Sequence, residues 1–337
     1  MPDMVLGDLR VEPGKKSYGS LKIGETPTCA IELPIGIING KNPGPVLCLT
    51  AGSHACEYPG IDAAIRIFSE TDPSRLRGGV ITVPVVNVTG FERATVYVCP
   101  IDNGNIAFSF PGRPDGSLSQ VTAYFLLEKV VPKAGYYIDL HGGDVPELLM
   151  PYTSFIRTGV EKVDRESIAM AELYGTEYIE DRTSGGSAEA WPSTNMLFGQ
   201  ACKRGIPGIV AESGVGLGTY EESDIAFHVE GVRNVMRYLK MIEGTPSKPH
   251  DKQKMWRDMT VINVRRGGLF YPKVKHADVV SKGQNLGSVK NLRGEVVEEI
   301  ASTKDGIVMI MYPRHVVNTG DVVFNIATDI EEHVRVT

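Results

Sequence analysis

The chain reads as an α/β fold in which a mostly parallel sheet is flanked by helices, followed by a small all-β domain. Four apolar runs too short for helices, PVLCLTAGS (45–53), GVITVPVVN (79–87), YYIDLHGG (136–143) and PGIVAESG (207–214), alternate with longer helix-like stretches. Continuous apolar strands separated by helices need cover on both faces, which is the arrangement of a parallel sheet. From about residue 259 to 328 the helix-length patterning ceases, and short β-type runs such as TVINVR, GIVMIMY and DVVFNIAT take over.

Taken in order, residues 8–38 alternate β-prone runs with Gly and Pro, which predicts an opening antiparallel ribbon over about residues 1–40. Helices are expected at about 58–69, 118–131, 162–174, 193–204 and 221–243. Near Thr245 the text EGTPSKPHDKQKM loses apolar periodicity, so 246–258 reads as a linker between a catalytic unit (1–245) and the small all-β domain (259–337). A length of 337 residues suits that division at roughly 100 to 200 residues per domain.

Composition narrows the partner. Thirty-five Lys and Arg against 41 Asp and Glu give a net charge of −6 with no basic block, which argues against nucleic acid or an anionic membrane and for a small molecule. Five scattered cysteines without a C-x-x-C pair suit a reducing compartment. The start, MPDMVLGDLRVEPGKK, lacks the basic and apolar stretches of a secretory signal, and no segment approaches the ~18 apolar residues of a membrane span. A cytoplasmic protein is expected, with self-association left open.

Three of the four apolar runs end in groups that could bind a metal or move a proton: His54-Ala55-Cys56-Glu57, His141-Gly142-Gly143-Asp144 and Glu212-Ser213-Gly214. In such sheets ligands bind beyond the carboxyl ends of the strands. Two neutral imidazoles and one carboxylate form a zinc set that leaves a position open for water, and a fourth group can serve as base. His54, Glu57 and His141 are therefore the candidate ligands and Glu212 the candidate general base and acid. Asp139, two residues before His141, shares its face of the strand and could hold an imidazole N–H. A His-x-x-Glu pair alone is common on solvated turns, and Glu212 alone would be read as capping the next turn; it is their joint occurrence that argues for a site. His228, His250, His276, His315 and His333 have no partner at ligand spacing, so packing or surface roles are expected, and packing also for Cys56.

GSHACEYPG, YYIDLHGGD and PGIVAESG, in that order, resemble the succinylglutamate desuccinylase and aspartoacylase family, a branch of the zinc carboxypeptidase superfamily, over about residues 40–240. Within it the chain looks closest to the bacterial branch that includes N-acetyl-diaminobutyrate deacetylases. The resemblance implies a small β domain after the catalytic one and one Zn2+ per chain on His54, Glu57 and His141. It also implies Glu212 as the catalytic carboxylate and hydrolysis of a linear amide. One segment departs. Where the family has an Arg, then Asn-Leu-Asn-Arg and Phe-Pro-Gly, this chain has Tyr97 (or Val96) for the first Arg, Ala107 for the second Asn and Phe108 for the second Arg. Those arginines polarise the carbonyl and grip a carboxylate, contacts worth about 1.5–3 kcal/mol each. An apolar pocket around Tyr97, Ala107 and Phe108 is thus expected, with Tyr97 aiding the carbonyl and no acyl-amino-acid held by Arg. Arg93 is expected on the surface, and Tyr271 or Tyr312 at the mouth. The alternative is a catalytically altered binding protein on the same scaffold.

Overall fold

A computed structural model describes residues 2–185, 189, 192–247, 250 and 252–333. Along strand Asn42–Ala51, Leu47, Leu49 and Ala51 point to one face of a sheet and Cys48 to the other; along Tyr136–His141, Ile138 and Leu140 share the first face and Tyr137 the second. This alternation builds two apolar layers, and each needs cover. Helices Tyr58–Glu70, Glu161–Tyr174 and Glu222–Tyr238 cover the first layer, and Leu118–Phe125 and Leu197–Lys203 the second.

The main sheet has 13 strands among the described residues. Its path runs Val279–Val280, Gly306–Met311, Val322–His333, Gln253–Asn263, Tyr178–Asp181, Tyr152–Phe155, Gly208–Glu212, Tyr136–His141, Asn42–Ala51, Arg77–Val83, Ala30–Asn39 and Lys15–Glu25, with Leu148–Leu149 paired beside Gly306–Met311. From Gln253–Asn263 to Arg77–Val83 neighbours run parallel, except where Gly208–Glu212 meets Tyr152–Phe155. The opening ribbon, Lys15–Glu25 against Ala30–Asn39, is antiparallel as expected. From Asn42–Ala51 the chain first adds a neighbour on one side, Arg77–Val83, and later one on the other, Tyr136–His141. That reversal makes a switch point, where a crevice opens at the strand ends.

The expected linker needs correcting. Strand Gln253–Asn263 starts inside 246–258 and joins the main sheet, parallel to Tyr178–Asp181 and antiparallel to Val322–His333. Its polar residues hide it from an apolar-run search because each is paired. Gln253 donates to the carbonyls of Glu172 (3.0 Å) and Thr176 (2.8 Å), and Lys254 meets Glu177 at 2.8 Å. The β region therefore extends the main sheet, while Val296–Ala301, Asn285–Lys290, Gly268–Pro272 and Val316–Val317 form a separate four-stranded sheet packed against it, Phe270 on Phe324. Residues 248, 249, 251 and 334–337 of the expected linker and β domain lie outside the described residues. Strands Tyr152–Phe155 and Tyr178–Asp181 escape sequence reading for the same reason, since buried Ser154 donates to buried Glu180 at 2.6 Å.

His228, on helix Glu222–Tyr238, is fully buried and ties that helix to the site. Its Nε2 donates to the carbonyl of His141 at 2.9 Å, and its Nδ1 faces the Tyr174 hydroxyl at 3.0 Å. The Tyr174 hydroxyl also donates to the His228 carbonyl at 3.3 Å, and burial pushes the His228 pKa down to about 4, which favours a neutral ring.

Two outcomes are expected. Trp256 is fully buried edge-on to Tyr152, 5.1 Å between centroids, where the β region meets the central strands. Trp256→Ala should cost about 3–5 kcal/mol in urea unfolding, within one transition; a separate second transition would mean that the β region folds on its own. Because the depressed folded pKa of His228 lies below its unfolded value of about 6.5, its contribution is whole above pH 6.5 and falls away as pH drops toward 4, by about 3 kcal/mol. Stability of His228→Gln measured over the same range should show a shallower acid decline than the parent.

Candidate functional site

Chain direction delivers the predicted residues to one edge. His54 and Glu57 follow strand Asn42–Ala51, and Glu57 occupies the N-cap position of helix Tyr58–Glu70, whose first turn contains Pro59. His141 and Glu212 are the last residues of adjacent parallel strands and stand side by side in register. Gly142 lets the turn after His141 approach its neighbour: a Cβ there would lie 2.3 Å from the Ser213 carbonyl oxygen. Its amide N–H donates to Glu57 Oε2 at 3.2 Å.

Glu57 bridges the two imidazoles. Its Oε1 lies 2.6 Å from His54 Nδ1 and its Oε2 2.9 Å from His141 Nδ1, and the rings stand 5.3 Å apart at 73°. Burial would raise the Glu57 pKa, but the two histidines outweigh it and bring it down to about 2. Burial opposes charge on His54 and His141 as well, yet Glu57 raises both, His141 well above the usual imidazole range. Asp139 sits where its spacing put it: Oδ2 is 3.4 Å from His141 Nε2, and Oδ1 accepts from Thr50 at 2.6 Å.

This set fits a divalent cation. One ligand atom from each of His54, Glu57 and His141 can be chosen so that all lie within 4.8 Å of one another, and the donors are nitrogen and carboxylate oxygen, as zinc prefers. His141 Nε2, buried without a hydrogen-bond partner, faces Asp139 as a metal-bound imidazole faces a supporting carboxylate. Glu212 stays outside the trio. Burial drives its pKa well above the carboxylate range, His141 opposes that rise, and Glu57 and Glu147 add to it. Ser213 Oγ donates to Asp224 at 3.0 Å, which leaves it no nucleophilic arrangement. Cys56 packs against the Thr95 carbonyl, 3.6 Å away.

These groups open into a cavity of about 460 Å³, lined also by Tyr97, Ala107 and Phe108. The expected apolar pocket is only part of it. Arg182 and Arg314 line the same cavity, joined by Glu147, Asp321, Tyr312 and Asn325, so the cavity holds cations. They escaped sequence reading because Arg182 follows an unrecognised strand and Arg314 comes from the β region. Arg93 is exposed, as expected. Tyr312 lines the cavity, whereas Tyr271 is 40% exposed and packs on His315. The Tyr97 hydroxyl donates to Glu147 at 2.7 Å, so its proton is committed there and not offered to a carbonyl. Glu147 could have been flagged three residues beyond Asp144, as a further carboxylate after the His-Gly-Gly turn.

Comparison with known proteins agrees with this architecture. Residues 43–239 match the succinylglutamate desuccinylase/aspartoacylase catalytic domain. The N-alpha-acetyl-L-2,4-diaminobutyric acid deacetylase of Halomonas elongata is 27% identical over 340 residues, covering 98% of this chain and 96% of that protein. The crystal structure of a succinylglutamate desuccinylase/aspartoacylase from Rhodobacter sphaeroides superposes with a TM-score of 0.83 at 23% identity, covering 96% of this chain and 98% of that one. The product-bound ectoine utilization protein EutE (DoeB) from Ruegeria pomeroyi gives 0.82 at 23% identity, covering 92% and 94%. The chain belongs to the succinylglutamate desuccinylase/aspartoacylase family, hydrolases that act on N-acyl amides.

Proposed function

We propose that the protein is a zinc-dependent deacylase that hydrolyses a linear N-acyl amide of a small molecule in the cytoplasm. The observation that carries this is the convergence of His54, Glu57 and His141 beside half-buried Glu212 at the sheet's switch point. One zinc ion held by those three would supply Lewis acidity and make water acidic enough to ionise near neutral pH. Glu212 is the proton carrier: its raised pKa suits a carboxylate that takes a proton from the attacking water and hands it to the leaving nitrogen as the C–N bond breaks. Asp139 orients His141 through Nε2, and Thr50 fixes Asp139 in turn.

Tyr97, Ala107 and Phe108 shape the substrate wall. Arg182 and Arg314 make a carboxylate on the substrate compatible with the cavity, against the expectation drawn from Ala107 and Phe108 alone. The activity named for the Halomonas elongata relative supports an acetyl group as the acyl part. The missing Asn-Arg pair favours the competing reading of a non-catalytic binding protein, which a metal-loaded chain inert toward a broad panel of acyl amides would support.

Purified protein should contain about one zinc per chain, and His54→Ala should lose it. Metal-free parent protein, prepared without chelator, would count against the site. Glu212→Gln should retain the metal and lose about 10²- to 10⁴-fold in kcat. Undiminished turnover would remove Glu212 from the mechanism.

A further inference from the structure

The segment after helix Val88–Arg93 carries unusual backbone. Ala94, Tyr97 and Asn103 have positive φ, at 49°, 60° and 55°, although none is glycine. Such conformations persist only where the surroundings over-determine them, so something must hold Tyr97 in place. Two carboxylates of one turn do so. The Tyr97 N–H donates to Asp144 Oδ2 at 2.9 Å, and its hydroxyl donates to Glu147 Oε1 at 2.7 Å. The turn is itself locked: the Asp144 N–H donates to Glu147 Oε2 at 2.9 Å, and the Glu147 N–H donates to the Asp144 carbonyl at 2.9 Å.

Main chain and side-chain tip of one residue are thus gripped together. Asp144 is fully buried and Glu147 is 8% exposed, and burial raises the pKa of both carboxyls. Keeping two acids from water is costly, yet neither has a part in the reaction above. Burial also drives the Tyr97 phenol far above its usual range, so it stays protonated and keeps donating.

The grip presses a ring against a proposed metal ligand. Tyr97 lines the cavity and meets His54 in a T-shaped contact, 5.4 Å between centroids and 86° between planes. At the ring nitrogens of His54, Nδ1 lies 2.6 Å from Glu57 Oε1 and Nε2 lies 3.2 Å from Asn105 Oδ1. A ring held at two nitrogens can still tilt about the line between them. Tyr97 joins the His141 ring in opposing that tilt.

We propose that Asp144 and Glu147 are positioning residues that clamp Tyr97 onto His54, so that this ligand keeps its ring orientation and the bound ion its residence time. The proposal rests on the reading of His54 as a metal ligand. Glu147 acts on His54 only through Tyr97, which fixes the pattern expected of variants.

The test uses zinc-loaded full-length protein, Tyr97→Phe, Glu147→Gln and the two combined. Gln has one acceptor oxygen where Glu has two, so it serves the Tyr97 hydroxyl or the Asp144 amide but not both. Phe keeps the ring and loses the grip on its tip. Each single variant should release zinc to excess chelator at least about tenfold faster than the parent, and the double variant no faster than the faster single one. In cobalt(II)-loaded protein the visible absorption band, which reports ligand geometry, should shift alike in all three. Tyr97→Phe decides by the same release rate should Glu147→Gln fail to fold. Parent-like release from the folded single variants, or effects that multiply in the double variant, would overturn the clamp while leaving the metal site in place. If the parent takes up neither ion, the metal reading fails, and hydrogen exchange at the Tyr97 amide of metal-free protein decides the clamp. Exchange at least about tenfold faster in Glu147→Gln than in the parent supports it, and equal exchange overturns it.

Discussion

A single carboxylate bridging two imidazoles is the constraint on which the site depends. Glu57 contacts His54 and His141 from opposite oxygens; Glu57 and His141 are removed from water and His54 largely so. Stripping water from such groups is costly, and the cost is offset only when the geometry is close and the charges answer one another. The sheet supplies that geometry. Two neighbouring parallel strands end at the same level, and the chain reverses its direction of growth between them, which leaves room for the loop bearing His54 and Glu57.

The backbone around the trio is pinned from behind. Gly142 permits close approach to the Ser213 carbonyl, and its amide steadies Glu57. His228 reaches up from a helix to hold the His141 carbonyl, a structural histidine whose neutrality follows from its burial. Asp139, Thr50 and Tyr137 form a hydrogen-bonded group on one sheet face beneath His141. Ligands supported in this manner lose little freedom on binding an ion, which is how supporting contacts raise affinity without touching the metal.

The cavity joins two parts of the chain. The central strands bring the proposed ligands and Glu212, while the strands after residue 253 bring Tyr312, Arg314 and Asn325. Because those late strands continue the main sheet, their side chains stand on a rigid frame beside the proposed reaction centre. Ala107 and Phe108 thus line a cavity that also holds Arg182, Arg314, Glu147 and Asp321.

His54, Glu57, His141 and Glu212 were legible in the sequence because each follows an apolar run, and chemistry at strand ends has a short local signature. The α/β class was legible through the same runs, since an interior strand must be apolar on both faces. Strands Tyr152–Phe155, Tyr178–Asp181 and the start of Gln253–Asn263 were not, because their buried Ser154, Glu180 and Gln253 are satisfied by partners far along the chain. The surroundings of Tyr97 and Phe108 were likewise decided by tertiary structure: which charges face a cavity depends on sheet order, and strand pairing over long sequence separations leaves no trace in local spacing.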